Sequence, residues 1–501
     1  MEYIIVQAGG KGSRLKYLTT NKPKALVPIE NLPMIFYLFR KYPDKRFIII
    51  ADYHKEVLRK YLAAFAKVKH IVVDADGEGT CGGVKQAIEH IPQREPFMLV
   101  WSDLILPEDF SLPEDYQGNK KTEDDYVGIS GDFPCRWKYE DGEFAEERSE
   151  EHGVAGFFLF HDKSVVEDVP KSGELVRWMR DSNLHFSEIS LQGTKEYGLI
   201  EEYEKLLQPK CRPFNKITVS DNVLTKEPVD EQGRKLSKRE CAWYEKAKEL
   251  NIGILPQIYS LNPLKMEFID GKNIYECNFS YKEKKEILTK LISELKKLHS
   301  SDGMATDSFS LKEAYYNKTI ARLSNIQDLV PFALERYITV NGKQCRNVFF
   351  YKDKLEKALE KLKCEKFEFI HGDCTFSNMM IRSDGSPVLI DPRGYFGFTE
   401  LYGDARYDWA KIYYSIVGNY DTFNLKKFRL HIEDDGVSLQ IDSNHWEDME
   451  EDFFNLTGCD QYEIRLLHAV IWLSLTTYAW QDYDSICGAF YNGLWYLEDV
   501  L

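Results

Sequence analysis

The chain has 501 residues, 43% of them hydrophobic, and a formal net charge of −16. That length exceeds what one ordinary core serves and predicts two or three domains, while the hydrophobic content excludes extensive disorder. The acidic balance excludes a protein that coats nucleic acid, which needs a basic face, but leaves room for local basic pockets that hold nucleotides.

The N-terminus, Met1-Glu2-Tyr3-Ile4-Ile5-Val6, lacks a basic region followed by an apolar stretch of signal-peptide length. No apolar run reaches the roughly 18 residues of a membrane span. The ten cysteines include no C-x-x-C pair, so neither a zinc site nor a disulfide framework is expected, and a cytoplasmic location is.

In chain order, strands are predicted at Tyr3–Gln7, Arg46–Ala51, Ile71–Val73, Phe97–Trp101 and Val154–Phe160, alternating with helical stretches such as Tyr53–Ala66 and Val84–Ile91. The acidic run from Asp141 to Gly153 reads as a solvated loop or hairpin. Two prolines in Gln208–Pro213 mark a boundary, giving domains 1–210 and 211–501. Beyond it come strands within Lys216–Lys226 and a helix over Ser237–Leu250. The chain then turns mostly helical, with Lys282–Leu298 and Tyr351–Leu362 the clearer cases and two strand-like pieces, Phe367–Ile370 and Val388–Ile390. The aromatic tail from Ala469 to Leu501 reads as core helices, with an aromatic box around an ammonium group as the alternative.

The segment Ala8-Gly9-Gly10-Lys11-Gly12-Ser13-Arg14 follows the first strand directly. Glycines let the backbone approach phosphate oxygens, the following turn adds its positive end, and Lys11 and Arg14 add full charges. With its continuation Asn21-Lys22-Pro23-Lys24-Ala25-Leu26, this segment resembles the signature of the sugar-phosphate and phosphocholine nucleotidyltransferases. The resemblance covers about the first 200 residues and implies a Rossmann-like α/β domain in which Ala8 to Arg14 wrap a nucleoside triphosphate and Lys24 contacts phosphates. The loop Gly77-Glu78-Gly79-Thr80-Cys81-Gly82-Gly83 looks like that family's base- and ribose-contacting loop, with Gly79, Thr80, Gly82 and Gly83 as nucleotide contacts; a plain helix-entry turn is the alternative. Asp103 ends a buried strand, where open α/β sheets bind ligands, and by resemblance holds Mg²⁺. Sugar-type members carry a second metal-binding aspartate before a late Gly-Thr pair. Here Leu191 stands at that place, and Glu188 or Glu196 is the candidate substitute.

His371-Gly372-Asp373-Cys374-Thr375-Phe376-Ser377-Asn378, followed by Ile390-Asp391-Pro392-Arg393, resembles the catalytic loop and metal-binding strand end of aminoglycoside phosphotransferases and choline kinases. The resemblance implies an α+β protein-kinase-like domain that binds ATP and Mg²⁺. Asp373 would orient or accept the acceptor hydroxyl's proton, while Asn378 and Asp391 would hold metal. Lys226 is the candidate phosphate-gripping lysine and Glu240 its helix partner. His371 is expected to stabilise the loop, and Gly403–Ala410 is read as structural.

Together the halves imply a kinase that makes a phosphate monoester and a nucleotidyltransferase that consumes it with a second NTP, CTP or another. The leading reading takes the compound to be a sugar or polyol bound for a surface glycan or capsule, because Arg393 sits awkwardly beside a quaternary ammonium substrate. A second reading is choline, giving CDP-choline. A third makes the first domain a non-catalytic nucleotide sensor, with Leu191 as its mark.

Overall fold

The structure, a computed structural model, describes residues 1–75, 79–117, 123–206 and 215–501. The chain divides into two units, Met1–Gln208 with Gln481–Asp484, and Pro209–Trp480 with Ser485–Leu501. The second unit therefore does not take in all of 211–501, and the expected boundary within Gln208–Pro213 lies outside the described residues. No helix among the described residues is long and apolar enough to cross a membrane.

The first unit is built on four parallel strands in the order Lys69–Asp74, Arg46–Ala51, Tyr3–Gln7, Phe97–Trp101. Ile4, Ile5 and Val6 of the third and Phe47 to Ile50 of the second are buried, the near-continuous apolar run of a parallel sheet covered on both faces. Gly153–Phe160 extends the sheet antiparallel to Phe97–Trp101, with Phe157 opposite Val100. Tyr3–Gln7 thus lies between Arg46–Ala51 and Phe97–Trp101, at the topological switch point of an open α/β sheet. Gln7 and Trp101 are register partners there, so the chain leaves both strands side by side.

The acidic segment does contain a hairpin: Lys138–Glu140 pairs with Glu143–Ala145 across Asp141 and Gly142, both at positive φ (53° and 84°). One helix starts earlier than the sequence suggested. Cys81–Ile88 begins three residues before Val84, because Gly82 and Gly83 are buried in its first turn against the sheet.

The second unit opens with an antiparallel sheet in the order Asn215–Ser220, Val223–Pro228, Leu264–Glu267, Ile258–Leu261, beside the helix Glu231–Glu249. Tyr281–Ser301, Ala405–Ile416, Gln461–Leu475 and Tyr483–Leu497 are its main later helices. The Tyr281–Ser301 helix starts at a capping box formed by Ser280 and Glu283 and buries Ile287, Leu288, Leu291, Ile292 and Leu295 in the core. The tail aromatics Trp472, Tyr483, Phe490 and Tyr491 are buried, as core helices require.

The mostly helical reading of this half needs correction. A second four-stranded sheet is made by Tyr337–Val340, Lys343–Arg346, Gly436–Ile441 and Phe428–Glu433. Its signals are in the sequence: an Asn341-Gly342 turn at positive φ, and the alternation of Phe428-Arg429-Leu430-His431 before a turn ending in Gly436.

Candidate active sites

In the first unit the glycine loop leaves the strand end at the switch point. Ala8 is buried and its N–H is committed to Ile50 O at 3.0 Å, so it anchors the loop instead of facing a ligand. Gly10, Lys11, Ser13 and Arg14 are exposed, and Gly9 is half-buried. Gly12 has φ +62°, and an added Cβ would lie 3.0 Å from Lys24 Cβ, so the turn is held tightly against the lysine-bearing segment. Lys24 N donates to Gly10 O at 3.4 Å, which fixes the two motifs to each other.

The Lys24 ammonium donates to Asp103 Oδ2 and lies 3.4 Å from Glu196 Oε1. Arg14 Nη2 is 3.8 Å from the same Glu196 oxygen. Burial, and then Asp103, push the Glu196 carboxyl above the usual range, with Lys24 and Arg14 opposing. Of the two substitutes for the missing aspartate, Glu196 is the one brought to Asp103; Glu188 is exposed on Ser187–Ser190. Leu191 is buried, and its side chain fills the space over Gly128, where a Cβ would lie 2.5 Å from Leu191 Cδ1.

Gly77 and Glu78 of the expected base-contacting loop lie outside the described residues. Gly79, at φ +86°, bridges to Gly173. Thr80 Oγ1 accepts from Leu175 N at 2.8 Å, and Thr80 O accepts from Gln7 Nε2 at 3.0 Å. Gly83 is a packing glycine: a Cβ there would lie 2.3 Å from Ile50 Cγ2. Gly82, beside it in the same buried turn, is likewise away from solvent.

In the second unit Lys226 Nζ lies 2.8 Å from Glu240 Oε2 and 2.7 Å from Asp391 Oδ1. Strand and helix thus supply the expected pair. Burial works against the Lys226 charge, but Asp391 and Glu240 hold its pKa above the ordinary lysine value. Burial pushes the Glu240 carboxyl up, with Lys226 opposing.

The hairpin Met379–Ile381 with Pro387–Leu389 sets Asn378 and Asp391 at one end: Met379 faces Leu389, and Ile390 N donates to Asn378 O at 3.0 Å. Asn378 Nδ2 donates to Asp373 O at 2.9 Å and to Asp373 Oδ2 at 3.2 Å. The other Asp373 oxygen is 3.0 Å from Lys411 Nζ.

His371 is fully buried, and burial holds its pKa below the ordinary histidine value. Its Nε2 is 3.0 Å from Ile390 O and its Nδ1 accepts from Asp373 N at 3.3 Å, the pattern of a neutral ring bracing the loop. Asp408, within the segment read as structural, accepts from His371 N (2.8 Å), Gly372 N (2.7 Å) and His299 Nε2 (3.0 Å). Lys411 escaped the sequence reading. Its one signal is a lone cation in the otherwise buried run Tyr407 to Ile416.

Among the described residues no three His, Cys, Asp or Glu side chains are placed to hold a metal. Each site instead offers a small set of oxygens against which a lysine ammonium now sits: Asp103 with Glu196, and Asp391 beside Asn378. Such sets suit Mg²⁺, which takes one or two carboxylates and completes its shell from phosphates and water.

Residues 3–125 match the family model described as Nucleotidyl transferase, and residues 251–426 match the one described as Phosphotransferase enzyme family. The chain joins a nucleotidyl transferase domain to a phosphotransferase-family domain. The bifunctional protein GlmU of Methanocaldococcus jannaschii is 29% identical over 107 residues, 21% of this chain and 26% of that protein. The mannose-1-phosphate guanylyltransferase catalytic subunit beta of Dictyostelium discoideum is 29% identical over 108 residues, 20% of this chain and 30% of that protein. The chain therefore spans only about a third or less of the length of these curated relatives. Among solved structures, the inositol-1-phosphate CTP transferase from T. maritima superposes at a TM-score of 0.33 with 16% identity, over 40% of this chain and 91% of that one.

Proposed function

We propose that the chain catalyses two consecutive transfers: ATP-dependent phosphorylation of a sugar or polyol hydroxyl, then transfer of a nucleotidyl group from a second NTP onto that phosphate. The observation that carries this reading is the linked set Lys226, Glu240 and Asp391 beside Asp373 and Asn378, a phosphoryl-transfer geometry in the same chain as the Lys24–Asp103–Glu196 cluster.

In the first step the acceptor hydroxyl attacks the γ-phosphorus of ATP, its proton passes toward Asp373 Oδ, and ADP leaves. Lys226 grips the phosphates and Glu240 keeps it in place. In the second step an oxygen of the new phosphate monoester attacks the α-phosphorus of the NTP, and pyrophosphate leaves. That nucleophile is already ionised, so Lys24, Arg14 and Lys11 serve to offset repulsion between two anions, and no general base is required. Mg²⁺, held by Asp103 with Glu196 and by Asn378 with Asp391, would supply further neutralisation of phosphate charge.

Two curated relatives, a mannose-1-phosphate guanylyltransferase and a glucose-1-phosphate cytidylyltransferase, act by their names on sugar phosphates, which supports the sugar reading and a product NDP-sugar or NDP-polyol of the kind that feeds surface glycans or capsule. The test is a matrix assay: full-length protein, ATP and Mg²⁺ with panels of sugars, polyols and choline and each NTP, followed by mass spectrometry. An NDP-linked product that disappears without ATP supports the reading. CDP-choline alone would overturn the substrate class, and no pyrophosphate release with any phosphate acceptor would favour a nucleotide sensor.

A further inference from the structure

Beside Asp373 the second unit gathers cations from three separate segments. Lys318 and Arg322 stand one turn apart at the start of the helix Lys318–Ile326, Arg393 follows the Asp391 strand end, and Lys411 comes from Ala405–Ile416. Three of them converge on one ring: Lys318 Nζ, Arg393 Cζ and Lys411 Nζ lie 5.8, 6.0 and 5.8 Å from the Tyr407 centroid. Lys411 ties the cluster to the reaction centre through its 3.0 Å contact with Asp373.

Carboxylates do not neutralise this group. Among the described residues only Lys411 of the four forms an ion pair with an acid, and that acid is Asp373. Arg393 spends its N–H groups on tyrosine hydroxyls, Tyr407 at 2.9 Å and Tyr395 at 2.7 Å. Arg322 donates to the Ser474 carbonyl. Among the described residues Lys318 makes neither a hydrogen bond nor an ion pair; its ammonium faces the Tyr407 ring. Burial, then Arg393, Arg322 and Lys411, hold the Lys318 pKa below the ordinary lysine value, with Glu313 alone opposing, as expected of a cation short of counter-charge. A quaternary ammonium or an aminated sugar would add repulsion here. An anion would relieve it.

We infer that the kinase acceptor already carries an anionic group, a phosphoryl, phosphonyl or carboxyl, which Lys318, Arg322 and Arg393 hold while its hydroxyl faces Asp373. The inference rests on the phosphotransferase reading of this unit and narrows its substrate class from neutral sugars and polyols to acidic ones. The ATP phosphates have their own cation in Lys226, with Asp391 placed to hold Mg²⁺ there, so the cluster is left for the acceptor.

The test measures ADP release by the full-length protein with ATP, Mg²⁺ and matched acceptors: a hexose, its phosphate monoester, the corresponding hexuronate, and choline. The expected result is a KM at least about tenfold lower for an anionic member than for the neutral hexose, the worth of one charge-assisted hydrogen bond. Whichever of the phosphate ester and the hexuronate is preferred identifies the anion. Lys318→Gln raises that KM about tenfold with the KM for ATP unchanged, and Lys318→Arg restores it. Inorganic sulfate competes with the acceptor and not with ATP. Equal KM values for neutral and anionic acceptors, or a Lys318→Gln variant indifferent to acceptor charge, overturn the inference while the kinase reading stands. Absence of ADP with every acceptor, together with absence of ATP binding by calorimetry, overturns the kinase reading and the inference with it.

Discussion

The two sites use the same device with differently matched partners. In each, a lysine ammonium sits against two carboxylates: Lys24 against Asp103 and Glu196, and Lys226 against Glu240 and Asp391. Lys24 rides a short 3₁₀ turn, Lys24–Leu26, at the open carboxyl ends of the strands, and both its partners keep some solvent contact. Lys226 lies in a strand and meets a helix glutamate whose side chain is only 8% exposed, whereas Asp391 is 53% exposed. Glu240 is thus a fixed anchor and Asp391 the partner that a phosphate or metal can draw away. The two carboxylates of Lys24 are close to each other in exposure, 12% and 19%, so neither is singled out as the one a ligand draws away.

The largest effects should separate the two sites completely. Asp373→Asn is expected to lower ADP formation by about 10²–10⁴-fold, the usual worth of a positioned base, while pyrophosphate release from a supplied phosphate monoester stays at the wild-type rate. Asp103→Asn should do the reverse. If either variant stopped both reactions, the two sites would not be independent and the comparison would fail.

The anchoring contrast predicts a smaller effect. Glu196→Gln removes a charge that faces both Lys24 and Arg14, and should slow nucleotidyl transfer about ten- to hundred-fold. Glu188→Gln, on an exposed strand position, should leave it unchanged. Steady-state pyrophosphate release measures both, and equal rates for the Glu196 variant and wild type would remove Glu196 from the site.

How far these sites were legible depended on how their residues lie along the chain. The glycine loop, the Pro-Lys-Ala-Leu segment and the His-Gly-Asp loop are contiguous, because a turn between a strand and a helix must place several groups at once. Three of the four parallel strands, Tyr3–Gln7, Arg46–Ala51 and Phe97–Trp101, were legible for a related reason: a strand buried on both faces reads as an unbroken apolar run. Glu196 comes back to Lys24 across 172 positions through the pairing of Lys195–Glu196 with Leu104–Ile105, and no local pattern separates it from Glu188. The Tyr337–Ile441 sheet has short strands set between strong helical periodicities, and its Asn-Gly turn was the one clear local mark. Lys318, Arg322 and Lys411 sit on helices where an isolated cation ordinarily means a solvated face, so only the fold brings them to one ring.

Gly83 tests a different part of the comparison, whether the second glycine loop touches nucleotide or only packs. Because a Cβ there would meet Ile50 Cγ2 at 2.3 Å, Gly83→Ala should cost about 1–3 kcal/mol of stability by overpacking. Thermal unfolding reads this. A variant of unchanged stability with a raised KM for NTP would return Gly83 to the nucleotide site.

The last effect concerns what lies beneath the second unit's site. Asp421 is 1% exposed and accepts from Ser377 N at 2.7 Å, so it braces the loop that carries Asn378. Burial pushes its carboxyl up to about 6. A carboxyl whose pKa is higher folded than unfolded binds more protons in the folded state, so its contribution to stability is complete below about pH 4 and is lost as pH rises through about 6. Asp421→Asn keeps the acceptor oxygen for Ser377 and replaces the ionisable oxygen with an uncharged group. The variant should therefore match wild type near pH 3 and exceed it by about 3 kcal/mol near pH 8, a difference that denaturant unfolding at the two pH values resolves. If Asp421→Asn instead destabilised the protein equally at both pH values, the carboxylate would be a fixed structural anion, and the contrast between an anchored site and an open one would rest on Glu240 alone.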